Sequence, residues 1–240
     1  MLEKCSLDRF RVLSGSVLKL IAVISMFIDH TGFVFCYEFP EMTETLFHFM
    51  GDKVTLYYIL RKIGRLAFPI YCFLISEGLT HTKSQKNYLL RLLIFALISE
   101  IPFNLMVSGK ALSSANQNVF FTLFLGALSI YFYENTKNRM LNAALMLVIL
   151  AASVYLKADY GPAGVVVILL IYILRGRPIV QALAGYPLFS GGVWAIAAFI
   201  PINLYNGQRG FIKSRVLQYA FYLFYPLHML LLVGIKQLLR

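Results

Sequence analysis

The sequence predicts an all-α fold, a polytopic integral membrane helical bundle, on three observations. Of its 240 residues, 59% are hydrophobic and 14% are charged, where a soluble domain carries roughly a quarter charged. Mean hydropathy is +0.72. The apolar residues fall in long runs parted by short polar or basic segments, as expected of helices crossing a hydrocarbon core ~30 Å thick. The net charge of +11 then belongs to cationic loops at anionic lipid headgroups, not to nucleic-acid binding.

The first span is expected at Val17 to Tyr37 and is expected to be retained, because residues 1–16 are too polar and too long for a secretory leader. An acidic loop with Glu38, Glu41, Glu44 and Asp52 follows. The second span runs from Leu56 to Leu79 and the third from Tyr88 to Val107. The fourth is Val119 to Tyr133, the fifth Met140 to Leu156 and the sixth Gly161 to Leu174. Residues 179–205 form either one long span or two short ones split near Ser190, Gly191 and Gly192. The last span is Val216 to Leu238. The expected total is eight to nine transmembrane helices, possibly ten with broken helices, in a single domain over 1–240.

Loop charge sets the orientation. Lys4, Arg9 and Arg11 precede the first span, and Lys83 with Lys86, Lys137 with Arg139, and Arg175 with Arg177 fill alternate loops. The N-terminus is therefore expected in the cytoplasm and the acidic loop outside, in a multi-pass protein of the plasma membrane.

Several ionisable residues interrupt the spans. On a rise of ~1.5 Å per residue, His30 lies roughly 20 Å along the first span, Glu100 roughly 18 Å along the third, and Arg61 and Arg65 about 7 and 13 Å into the second. His228 lies near the middle of the last. Each intramembrane charge costs at least ~2.5–3.5 kcal/mol, so several at one depth imply a shared polar cavity or a set of structural ion pairs between helices. Asp29 adjoins His30 but points about 100° away round the helix, so it is expected to meet an arginine. A histidine titrates near neutral pH and suits proton transfer. Pro69 and Pro102 are expected to kink helices, and Pro226 to free a carbonyl near His228.

Cys5, Cys36 and Cys72 lack metal-ligand spacing, so no metal is expected. Phosphate-loop, nucleophile-elbow and zinc-protease motifs do not occur.

The stretches LKLIAVISMFIDHTG, RKIGRLAFPIYCFLISEG, ISEIPFNL, ADYGPAG, and NGQRG followed by QYAFYLFYPLHMLLL resemble the TraX family. Its first two spans are also similar to the larger acyltransferase-three group of membrane acyltransferases. The resemblance implies an integral membrane acetyltransferase, the family's founding conjugation-system member being associated with N-acetylation of the amino terminus of pilin. The similarity to the acyltransferase-three group matches His30 to the proposed catalytic histidine of that group and Arg61 or Arg65 to the arginine of its second helix. The expected chemistry follows. His30 is the general base, with Asp29 and Glu100 orienting groups. Arg65, Arg61 and His228 contact the donor or acceptor, and Arg209 and Lys213 hold coenzyme A phosphates. Acetyl-CoA is the co-substrate, and the acceptor is a peptide amine, a pilin-like terminus or an envelope glycan. Two rivals share these residues: a secondary transporter or proton-coupled permease, which needs broken half-helices in both halves, and a membrane scaffold.

Overall fold

The computed structural model describes residues 11–49, 51–189 and 192–239. Lys4, Cys5, Arg9, Ser190 and Gly191 lie outside the described residues. The chain divides into two compact units, residues 1–70 with 193–240, and residues 71–192.

In the first unit, α1 (Gly15–Phe35) is followed by a 3-10 turn (Pro40–Thr43), an antiparallel hairpin of β1 (Phe47–Phe49) and β2 (Asp52–Val54), and α2 (Leu56–Gly64). The hairpin lies in the acidic segment expected as loop. Its turn passes through Gly51 at φ +89°, which a residue without Cβ adopts freely. Helix α3 (Ala67–His81) starts in this unit, and α9 (Val193–Ile196), α10 (Phe199–Asn203) and α11 (Arg215–Leu238) complete it. The second unit holds the rest of α3, then α4 (Gln85–Ser108), α5 (Val119–Asn135), α6 (Arg139–Tyr155), α7 (Gly161–Ile173) and α8 (Pro178–Gly185), with a 3-10 turn at Tyr186–Leu188.

The span expected from Leu56 to Leu79 is two helices, not one. Pro69 has no N–H for the carbonyl of Arg65, four residues earlier, and its ring crowds that carbonyl. The helix ends at Gly64, Arg65 is its C-cap, and α3 begins at Ala67. The 179–205 segment resolves into two short apolar pieces, Ile179–Leu188 and Val193–Asn203. Pro102, by contrast, sits inside an unbroken α4.

Three helices, α1, α4 and α11, are long and apolar enough to cross a membrane, and α5, α6 and α7 are shorter apolar helices. Local caps explain the boundaries. Thr55, Ser84, Asn118, Asn138 and Ser214 each accept a first-turn N–H, satisfying donors that no helix interior can. Gly109, left-handed, closes α4. The outer faces are apolar: α4 exposes Leu90, Ile94, Leu97, Ile98 and Ile101 at helical spacing. In water that stripe invites aggregation, whereas against lipid it is at home. Cys36 and Cys72 are free and buried.

In the second unit α5 is central, packing on α4, α6 and α7. Gly126 lets α7 approach closely, since a Cβ there would meet Ile168 Cδ1 at 2.3 Å. In the first unit α1 packs on α2 and α11. Helices α1 and α11 run parallel, joined at three levels. At the start of α1, the Gly15 and Ser16 N–H groups donate to Gln208 O and Arg209 O (2.8 and 2.9 Å). Ser16 Oγ also donates to Arg209 O (2.6 Å) and accepts from the Ile212 N–H (2.9 Å). Midway, His30 meets His228. Beyond the end of α1, Lys236 pairs with Glu38 at 3.4 Å. The 204–214 segment therefore lies at the same end of this unit as Arg11.

Candidate functional site

The site forms where α2 descends along α1. The two helices touch at glycines on both sides. Gly32 of α1 faces Leu60, whose Cβ would lie 2.9 Å from an added Cβ, and Gly64 of α2 lies against Asp29. This close approach lets Arg61, one turn before Gly64, reach Asp29: Nη1 donates to Oδ2 at 2.5 Å. Both side chains are partly sheltered, at 25% and 17% exposure. The guanidinium also covers the Phe33 ring at 5.6 Å. Asp29 thus meets an arginine, and the partner is Arg61. The pair neutralises two charges that would otherwise be costly at this depth.

Arg65 follows Gly64 at the break and is half-buried. Among the described residues its guanidinium has no ion-pair or hydrogen-bond partner. Of the two arginines that the sequence left undecided, one is committed within the protein and the other is available.

His30, one residue after Asp29, turns to the α11 side. Its Nδ1 lies 2.7 Å from His228 Nε2, and His228 Nδ1 lies 2.8 Å from the Phe224 carbonyl. Phe27, Phe224 and Tyr225 surround the pair, and His228 is only 3% exposed. His228 was expected among the ligand contacts. Both of its ring nitrogens are engaged within the protein, so it has none left for a substrate. Pro226 has no N–H to donate to the carbonyl four residues back, and the carbonyl that His228 uses is that of Phe224.

Arg209 and Lys213 are not at this depth. Both are exposed and lie in the segment laced to the start of α1. His30 is 15 residues further along α1, about 22 Å away. Gly210, at φ +82°, lies so close to Ser14 that a Cβ would come within 2.2 Å of its Oγ, so this segment is held tightly on the helix start. The loop carbonyls already occupy the first N–H groups of α1.

Glu100 belongs to the second unit and acts there as a tie. It accepts from Asn104 Nδ2 (3.1 Å) and Asn118 Nδ2 (2.7 Å), while Asn118 Nδ2 also donates to Ala96 O (2.8 Å) and Asn118 Oδ1 accepts from the Phe120 N–H. One fully buried amide thereby caps α5 and fastens it to α4. Asn118→Ala is expected to destabilise the protein by about 2 kcal/mol, from a lost cap and the loss of the amide donor to the Glu100 carboxylate. Thermal unfolding in detergent measures this, and an unchanged midpoint rejects it. The residues that sequence reasoning missed are Asn118 and Gly64. The Asn-Val-Phe start of an apolar run is a readable cap signal, whereas Gly64 carried no signal apart from its place in the RKIGR stretch.

Among the described residues no group of three or more His, Cys, Asp or Glu side chains is arranged to hold a metal ion.

Comparison with known proteins bears on this arrangement. The chain is 28% identical over 255 residues to the probable fimbrial assembly protein FimC, serogroup H1, of Dichelobacter nodosus, covering 95% of this chain and 97% of the relative. It is also 28% identical over 164 residues to an uncharacterized protein of Rickettsia prowazekii (strain Madrid E), covering 66% of this chain and 55% of that one. No solved structure matches. The family model "TraX protein" matches residues 14–236, a range that takes in Asp29, His30, Arg61, Arg65 and His228, and the chain therefore belongs to the TraX family.

Proposed function

We propose that this membrane protein is an acetyltransferase that moves an acetyl group from cytoplasmic acetyl-CoA to an amine or hydroxyl acceptor, with His30 as general base. The observation that carries the reading is the pair of adjacent side chains in the second half of α1: His30 meets α11 through Nδ1 and leaves Nε2 without a protein partner, while Asp29 meets α2, whose broken end carries the uncommitted Arg65. In the reaction the acceptor N–H or O–H gives its proton to His30 while its heteroatom attacks the thioester carbonyl. The C–S bond then breaks, and the thiolate leaves with the proton from the imidazolium. Arg65 stabilises the developing oxyanion or a donor phosphate. Asp29 holds Arg61 and keeps α2 in place. Glu100 supports the fold of the second unit.

The parallel course of α1 and α11 supports an odd number of crossings, hence nine spans rather than eight. If the N-terminus is cytoplasmic, Arg11, Arg209 and Lys213, which lie at the same end of the first unit, share that face, where they would suit the coenzyme A phosphates. The name of the Dichelobacter relative favours a pilin-like terminus over a glycan as the acceptor.

A transporter remains the second reading, because two segments, 56–81 and 178–203, are broken helices of the kind that line transport sites. Purified protein decides between them. Acetyl-CoA should raise the melting temperature, and labelled acetyl groups should pass to envelope peptides. Arg65→Gln should lower kcat/KM for acetyl-CoA by at least about tenfold, the worth of one charge-assisted hydrogen bond. No stabilisation, with substrate-driven ion flux in liposomes, would establish the transporter instead.

A further inference from the structure

The contact between His30 and His228 admits one assignment of protons for two neutral rings. The Phe224 carbonyl can only accept, so His228 Nδ1, 2.8 Å away, carries hydrogen. The other nitrogen of His228, Nε2, then carries the lone pair. It faces His30 Nδ1 at 2.7 Å, so His30 Nδ1 carries hydrogen and donates it. The lone pair of His30 is left on Nε2. Free histidine favours the opposite form, with hydrogen on Nε2, so the contact reverses the ring's ordinary preference.

The ring geometry agrees. The centroids are 4.9 Å apart and the planes differ by 8°. That separation is nearly the N···N distance plus the two ring radii, so the rings meet edge to edge in a common plane rather than face to face. A lone pair on an aromatic nitrogen lies in the ring plane, which is where the donated hydrogen arrives. Phe224 stacks parallel to His228 at 4.9 Å and Phe27 closes on it edge-on at 6.2 Å. Turning the His228 ring over would break both hydrogen bonds in a packed environment.

We propose that His228 is a positioning residue that locks His30 in its Nδ1–H tautomer and so reserves His30 Nε2 as the nitrogen that exchanges a proton with the reacting groups. The role of Nε2 in turnover rests on the acetyltransferase reading, whereas the tautomer does not. When Nε2 takes the acceptor's proton, Nδ1–H stays bonded to His228 Nε2, and Nε2 later releases the proton to the leaving sulfur. A neutral imidazole thus does for His30 what a carboxylate does for many catalytic histidines, without placing a further charge in the lipid slab.

Nitrogen NMR of 15N-histidine-labelled protein tests the lock without any turnover. The chain has four histidines, and His48→Asn with His81→Asn leaves only the pair. Both rings should show a protonated Nδ1 and a bare Nε2. His228→Leu should move His30 to the Nε2–H form. His228→Gln, whose side-chain oxygen can sit near the lost Nε2, should restore Nδ1–H. Acetyl transfer should follow: His228→Leu lowers kcat at least about tenfold with little change in KM for acetyl-CoA, and His228→Gln recovers most of it. A bare Nδ1 on His30 in the unsubstituted pair overturns the lock. The expected spectrum with undiminished kcat in His228→Leu overturns the positioning role. Absence of all acetyl transfer overturns the acetyltransferase reading and with it the role of Nε2, while the spectrum still decides the tautomer.

Discussion

His30→Ala is expected to reduce acetyl transfer from acetyl-CoA by about 10²–10⁴-fold, the ordinary contribution of a positioned general base. The fold should survive. His30 is joined to its surroundings mainly through one hydrogen bond to His228, while α1 stays tied to α11 at Ser16 and near Glu38 and to α2 through Asp29. His228 is left with an unfilled acceptor, which costs about 1–3 kcal/mol at most. The measurement is labelled acetyl incorporation beside the melting temperature of the same preparation. Turnover like that of the unsubstituted protein would remove His30 from the chemistry. A loss of activity matched by a collapse of the melting transition would reduce it to a structural group.

Gly64→Ala is expected to be the most damaging small substitution in the first unit. The added methyl would lie 2.1 Å from Asp29 Oδ1 and 2.3 Å from Asp29 Cβ. Oδ1 can swing away, but Cβ is rooted in the α1 backbone, so the two helices must separate. Overpacking of this kind costs about 1–3 kcal/mol. Separation also stretches the Asp29–Arg61 pair and shifts Arg65, which follows directly. Both the melting temperature and the acetyl-transfer rate should fall, although no reacting group has been touched. A Gly64→Ala protein that melts and turns over normally would show that α2 does not press on Asp29 of α1 at Gly64.

The depth of each charged residue was legible in the sequence because depth is one-dimensional. Counting residues along an apolar run places Asp29 and His30 in the second half of α1 and Glu100 in the second half of α4, as the helix limits have them. Direction round the helix was only half legible: the step from Asp29 to His30 says that the two diverge, but not toward what. The break at Arg65 was available in principle, since Pro69 marks the fourth residue back. It was missed because Leu56 to Leu79 is apolar enough to read as one span.

The sequence by itself determined a membrane protein of apolar helices, most of their limits, the TraX resemblance, and the few polar side chains carried into the spans. Only the tertiary structure decided their partners. His30 and His228 are 198 positions apart and Asp29 and Arg61 are 32 apart, and no local pattern links either pair. Hydropathy reports whether a side chain tolerates lipid. Which imidazole faces which, and therefore which nitrogen keeps its lone pair, depends on how α11 is laced to α1 at Ser16 and packed through its aromatic rings, while the arginine that reaches Asp29 depends on the close approach of α1 and α2 at Gly32 and Gly64.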